Sequence, residues 1–332
     1  MPATAARGLC MVLLLLACSR TFVTGGRLAY NRIDKAASTS MIVLLNELGK
    51  EEHFEVHNQH KRDAAYFPSP PVLRQQLDTV PDGAVYINHA NFLESATDDF
   101  VWMNVVRDPL ERQVSVRPAH VAHLASARVM ASHCMHARFP QHYYYTVDPV
   151  ARGHPEWAAN TLAAQKRRGP CGCAYQEFSE CVKTRVSNNC RSTAFDKPQW
   201  EWFCMPGDEA GSTEANCTVE LAVHRMKTCY AAIGITEELE LSVALFEQKL
   251  PAWFHNASRV YAASRSHSHS NPTSYFNTLT NSSMAGSVSN EAKALLGKMP
   301  WFQEERYFHE QVVRRFWRDV AASGLLDADE GG

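Results

Sequence analysis

The sequence predicts an α/β protein with a mostly parallel central sheet and flanking helices. Short apolar runs of strand character recur along the chain and alternate with helical segments, which is the pattern that builds parallel sheets. A chain of 332 residues with 45% apolar and 10% aromatic side chains can also bury the core such a sheet needs.

In order, residues 28–33 read as the first strand and 40–48 as a helix. Short strands follow at 54–57, 84–87 and 101–106, and another at 231–235. Thr236 is placed to cap a helix with Glu237 and Glu238 in its first turn; Leu239, Val243, Phe246 and Leu250 then fall on one face. Phe308, Val312, Phe316 and Val320 make a similar stripe near the end, and both stripes read as core-facing rather than as cofactor boxes. Residues 262–289, rich in Ser, Asn and Thr, read as a loop region.

Arg7 is followed by an apolar run at 9–17 and then by small and polar residues to 26. The run is short for a bilayer span and reads as a signal peptide or a short signal anchor over 1–26, so membrane anchoring would sit at the N-terminus. The domain proper is expected over 27–322, with an acidic tail at 323–332. Beyond the leader, Cys134, Cys171, Cys173, Cys181, Cys190, Cys204, Cys217 and Cys229 crowd into one region, as disulfides of an oxidising lumen do. Cys171 and Cys173 with nearby histidines could instead ligate zinc, but there is no C-x-x-C pair and no H-E-x-x-H, so no metal is expected. Asn216, Asn256 and Asn281 head sequons compatible with a lumenal glycoprotein. The formal charge of −2 argues against a nucleic-acid partner, and any polyanion must be met by a local patch.

One such patch is "YNRIDKAASTSMIVLL", 30–45, where an apolar strand runs through a tight loop into a helix. A helix N-terminus presents backbone N–H groups and the positive end of its dipole, a ready site for phosphate or sulfate. Ser38, Thr39 and Ser40 would add hydroxyl donors and Lys35 a movable charge; alternatively Ser38 only caps the helix and Arg32 and Lys35 are solvated. The loop is not a Walker A motif. A second segment, "VWMNVVRDPLERQVS" at 101–115, is an apolar strand ending in Arg107-Asp-Pro, with Ser115 one turn into the helix that follows.

Taken together, the two segments resemble sulfotransferases that use 3′-phosphoadenosine 5′-phosphosulfate (PAPS), and in particular the uronyl 2-O-sulfotransferase family with its heparan sulfate 2-O-sulfotransferases. "AVYINHANFLE" at 84–94, "IGITEELELSVALFEQKLPAWF" at 233–254 and the cysteine pattern from Cys181 to Cys217 extend the match over most of 28–320. The resemblance implies the P-loop-like sulfotransferase fold and the transfer of a sulfo group from PAPS to the 2-hydroxyl of a uronic acid in a glycosaminoglycan such as heparan sulfate. It implies a Golgi-lumenal protein, either type II membrane-anchored or soluble in the secretory pathway. A homo-oligomer is compatible with it, since the family includes trimers.

Residue by residue, the resemblance implies that Lys35 contacts the oxygen bridging phosphate and sulfate and stabilises charge on the leaving group. Ser38, Thr39 and Ser40 would cradle the 5′-phosphate, and Arg107 and Ser115 would bind the 3′-phosphate, Arg107 by a forked contact. His89 matches the catalytic base that takes the hydroxyl proton, against the alternative of a buried structural histidine. Arg32 and His57 match positions near the acceptor sugar, and Lys166, Arg167 and Arg168 form a basic run suited to its acidic groups, or else a solvated face. Disulfides Cys181–Cys190 and Cys204–Cys217 follow the family pattern, and Cys229 could pair with Cys171 or Cys173.

The chain departs from the pattern at several points. Ile87 stands where the family has a second histidine before the base, and Asp34 where it usually has proline. "SRSHSHSNPTSY" at 264–275 replaces a lysine-rich loop that helps cover the nucleotide, and residues 116–141 interrupt the pattern after Ser115. That segment begins with a valine, whose codon starts GT, and ends with a glutamine, whose codon can end AG. It reads either as a retained intron translated in frame or as a genuine His-rich insertion. The retained Lys35, His89, Arg107 and Ser115 favour an enzyme over a catalytically impaired, secretory carbohydrate-binding protein on the same scaffold.

Overall fold

The computed structural model describes residues 26–34, 36–58, 68–114, 178–188, 198–204, 217–270 and 288–326. In chain order these form β1 (Arg27–Asn31), α1 (Ser38–Glu52), β2 (Val56–Asn58), α2 (Pro70–Asp78), β3 (Val85–Asn88), β4 (Phe100–Val106), α3 (Pro109–Val114) and α4 (Phe178–Ser187). There follow α5 (Val219–Thr228), β5 (Tyr230–Ile235), α6 (Leu239–Lys249), α7 (Pro251–Phe254), α8 (Ala257–Ser270), α9 (Asn290–Leu296) and α10 (Pro300–Ala322). The chain divides into two units: Met1–Arg107 with Gln199–Leu279 and Tyr307–Gly332, and Asp108–Pro198 with Thr280–Arg306.

In the first unit the five described strands form one parallel sheet in the order β2-β3-β1-β4-β5. This is the α/β class expected, and both faces of the sheet are covered. Along β4, Phe100, Trp102 and Val106 enter one apolar cluster while Val101, Met103 and Val105 enter the other. Burial on both faces is why these strands read as continuous apolar runs rather than alternating ones. Met41, Leu44, Leu45 and Leu48 of α1 and Val243 and Phe246 of α6 cover one face. Leu73 and Leu77 of α2, Met226 of α5 and the Phe308, Val312, Phe316 and Val320 stripe of α10 cover the other.

Gly234 of β5 allows α6 to approach closely. A Cβ there would stand 2.7 Å from Ser242 Cβ and 2.8 Å from Phe246 Cζ. Ser242 cannot retreat, because its hydroxyl accepts from Ile235 N–H at 2.9 Å and donates to Ile235 O at 3.0 Å. Gly234→Ala is expected to cost about 1–3 kcal/mol through overpacking, read as a lower denaturant midpoint. An unchanged midpoint would show that α6 can shift away.

Three local expectations are corrected. Thr236 does not cap a helix with its side chain: residues Thr236–Glu238 form a 3₁₀ turn ahead of α6, and the Thr236 hydroxyl donates to Val106 O at 3.2 Å. Residues 262–270 are not loop but the continuation of α8, whose buried Val260 and Tyr261 anchor its first half. Ser38 is the first residue of α1 rather than its cap, which is Ala37.

In the second unit, Val182 of α4 packs with Val288, Ala292, Leu296, Met299 and Phe302, and Leu110 of α3 lies against that cluster. Asp108 Oδ1 accepts from Glu111 N–H at 2.9 Å and so starts α3 at Pro109, whose missing N–H costs nothing there.

Candidate active site

Parallel strands end on one edge of a sheet, and here the strand order reverses around β1, with β3 on one side and β4 on the other. Ligands of open α/β sheets bind at such a reversal, outside the carboxyl ends of the strands. The residues leaving those ends are Arg32 and Asp34 after β1, His89 after β3 and Arg107 after β4.

The first two exits are tied together. Arg32 N–H donates to Asn88 O at 3.0 Å, and His89 Nδ1 lies 3.1 Å from Arg32 O. A carbonyl only accepts, so Nδ1 carries a hydrogen, and whenever the ring is neutral Nε2 is its lone-pair nitrogen. Asp34 Oδ1 lies 3.4 Å from Nε2, a separation at which the carboxylate attracts the ring only while Nε2 holds a proton. The imidazole is 4% exposed and its centroid is 5.7 Å from the Trp202 ring. An oriented nitrogen of this kind can exchange a proton with a hydroxyl brought to it.

Below this edge lies a buried polar network. Asn104 Nδ2 donates to Asn31 O at 2.7 Å and to Asn31 Oδ1 at 2.9 Å, while Asn31 Nδ2 donates to Trp202 O and to the Tyr230 hydroxyl, both at 2.9 Å. Burial pushes the Tyr230 hydroxyl above the usual phenol range, so it stays neutral within the network. These bonds fix the end of β1 against β4 and against the 3₁₀ turn Gln199–Phe203.

The turn from β1 into α1 is held with Ala37 at φ 53°, a left-handed conformation that alanine rarely adopts. Its cap residue, Ala37, has no side chain with which to cap α1, and the first turn holds no acidic residue, so this N-terminal end suits an anion. Thr39 is exposed, Ser38 half-buried and Ser40 buried.

The predicted residues divide accordingly. Arg32, Ser38, Thr39, Ser40, His89 and Arg107 all lie at strand exits or at the start of α1 on this edge, with Arg32 6% exposed. His57 lies one residue before the end of β2, the strand beyond β3, where it registers with Tyr86, and its Nε2 is 2.9 Å from Glu55 Oε2. Lys35, Ser115, Lys166, Arg167, Arg168 and Cys190 lie outside the described residues, as do 116–141. Cys204 and Cys217 are joined, with Cα atoms 5.8 Å apart, and Cys229 is also disulfide-bonded. Among the described residues, no three His, Cys, Asp or Glu side chains are grouped to hold a metal, and no helix is long and apolar enough to cross a membrane.

Sequence reasoning missed Gln199 and Trp202, which approach the edge from far along the chain. Asn31 and Asn104 did leave a signal, each being a polar residue inside a buried apolar strand.

Comparison with known proteins agrees with this architecture. The model for the Sulfotransferase family matches residues 22–287. A uronyl 2-sulfotransferase homolog, pip, of Drosophila melanogaster is 23% identical over 305 residues, 88% of this chain and 52% of its own length. Heparan sulfate 2-O-sulfotransferase 1 of Xenopus laevis is 22% identical over 313 residues, covering 90% of this chain and 73% of its own length. The Gallus gallus protein of the same name is 24% identical over 244 residues, 70% of this chain and 57% of its own. The chain thus spans about half the length of the Drosophila relative.

Proposed function

Because this chain belongs to the sulfotransferase family, we propose that it transfers a sulfo group from PAPS to the 2-hydroxyl of a uronic acid in a glycosaminoglycan such as heparan sulfate. The observation that carries this reading is that His89, its Nδ1 turned to Arg32 O, leaves β3 at the sheet edge from which β1 runs into α1, a helix whose cap residue Ala37 offers no side-chain acceptor. A hydroxyl acceptor needs a base at the point where an anionic donor is held, and these two features share one sheet edge.

In this reading the start of α1, with Ser38, Thr39 and Ser40, binds the 5′-phosphosulfate end of the donor, and Arg107 with Ser115 binds its 3′-phosphate. Arg32 and His57 serve the acceptor sugar, and the basic residues Lys166, Arg167 and Arg168 suit its sulfate and carboxylate groups. His89 Nε2 takes the proton as the 2-oxygen bonds to sulfur and the bond from sulfur to the bridging oxygen breaks. Lys35 meets the negative charge that gathers on that oxygen, and 3′-phosphoadenosine 5′-phosphate leaves. Asp34 must leave its place beside Nε2 as the acceptor hydroxyl arrives, since its carboxylate meets that nitrogen favourably only when it is protonated, and a base must be bare to take a proton. A Golgi-lumenal setting goes with this chemistry and is supported by the Cys204–Cys217 disulfide.

The test is transfer of labelled sulfate from PAPS to a panel of desulfated glycosaminoglycans. Label on the 2-oxygen of a uronic acid, together with a rise in melting temperature on adding 3′-phosphoadenosine 5′-phosphate, is the expected result. A chain that binds nucleotide and glycosaminoglycan but transfers nothing would instead be a carbohydrate-binding protein.

A further inference from the structure

Arg107 is the first residue beyond β4, one position past the last β4–β5 register pair, Val106 with Ile235. Its backbone therefore leaves the sheet ladder at the point where its side chain must be aimed. The amide of Gln199, 92 positions along the chain, takes the place of a strand there: Oε1 accepts from Arg107 N–H at 2.9 Å and Nε2 donates to Arg107 O at 2.7 Å. Gln199 is 0% exposed, and a buried amide without partners would be costly, so spending both groups on one backbone residue fixes both sides tightly. The residue is itself rigidly mounted. It begins the 3₁₀ turn Gln199–Phe203, in which Trp202 and Phe203 are 1% and 0% exposed and Trp202 O is bonded by Asn31 Nδ2 and Phe92 N–H.

We infer that Gln199 is a positioning residue for nucleotide recognition: by clamping the Arg107 backbone it aims the Arg107 side chain at the 3′-phosphate. This rests on the reading of Arg107 given above. A clamp of this kind acts on one phosphate of the nucleotide and leaves the other alone. Its signature is a loss of selectivity, not a general loss of binding.

The measurement is the ratio of dissociation constants for adenosine 5′-phosphate and 3′-phosphoadenosine 5′-phosphate, taken on the full chain. A charge-assisted contact to the 3′-phosphate makes this ratio about tenfold or more in the parent. Arg107→Ala is expected to remove most of it, leaving only what Ser115 contributes. Gln199→Met, which keeps the volume and removes both bonds, is expected to lower it at least about fivefold with affinity for adenosine 5′-phosphate unchanged within about twofold. Adding Gln199→Met to Arg107→Ala should change the ratio no further, because the clamp works only through Arg107. Should Gln199→Met fold poorly, Gln199→Asn keeps a neutral amide one methylene short of the Arg107 backbone groups and is likewise expected to lower the ratio. A folded Gln199 variant with the parent ratio, or one that weakens both nucleotides equally, overturns the inference while leaving Arg107 in place. An Arg107→Ala chain with the parent ratio removes the Arg107 assignment itself.

Discussion

His89→Ala is expected to lower sulfate transfer by a factor of about 10² to 10⁴ while leaving the nucleotide-induced rise in melting temperature nearly unchanged. A general base acts on the acceptor proton in the transition state, so its removal strikes the rate and not the donor's ground-state binding. The two readouts separate the base from the buried structural histidine that 4% exposure would also permit. Truncation also removes the hydrogen bond to Arg32 O, and a purely structural role would therefore appear as a lower melting point with parent-like turnover per folded molecule. A folded, nucleotide-binding variant that transfers sulfate at the parent rate would eliminate His89 as the base.

The sheet was legible because its strands are buried on both faces. Runs such as "FVWMNVV" have no polar side to hide them, and β4 spans Phe100–Val106, within one residue of the reading from sequence. Local capping was less legible. Thr236 has the residue type and spacing of a cap, but Val106 O at the end of the neighbouring strand captures its hydroxyl. The second half of α8 was hidden because its arginine, serine and histidine residues carry no apolar period after Tyr261, so composition suggested a loop.

The site divides in the same way. Short-range motifs marked the loop after β1 and the exit of β4, and the resemblance singled out His89. Asp34 was visible as an acidic departure, but that its carboxylate lies 3.4 Å from His89 Nε2 depends on the pairing of β1 with β3. Gln199 left no trace in sequence, since a bond across 92 positions has no local period to reveal it. The same holds for Trp202, reached from Asn31 across 171 positions.

The second large effect is expected in the other unit, at the helix that follows Arg107-Asp108. Arg112 of α3 donates through Nε to Glu305 Oε1 at 3.0 Å, and its Nη2 lies 2.8 Å from the same oxygen; the two side chains are 4% and 0% exposed. Burying both charges sacrifices their hydration, so the pair adds little over an apolar contact, but removing one partner strands the other charge away from water. Glu305→Ala is expected to destabilise the unit by about 3–5 kcal/mol, seen as a large fall in denaturant midpoint for a probe on α3. Arg112→Met with Glu305→Leu should recover most of that loss, because the doubly substituted site holds no charge to strand. If Glu305→Ala unfolds at the parent midpoint, the Arg112 guanidinium must reach water once its partner is gone. If the double variant is as unstable as the single ones, packing rather than the stranded charge sets the cost.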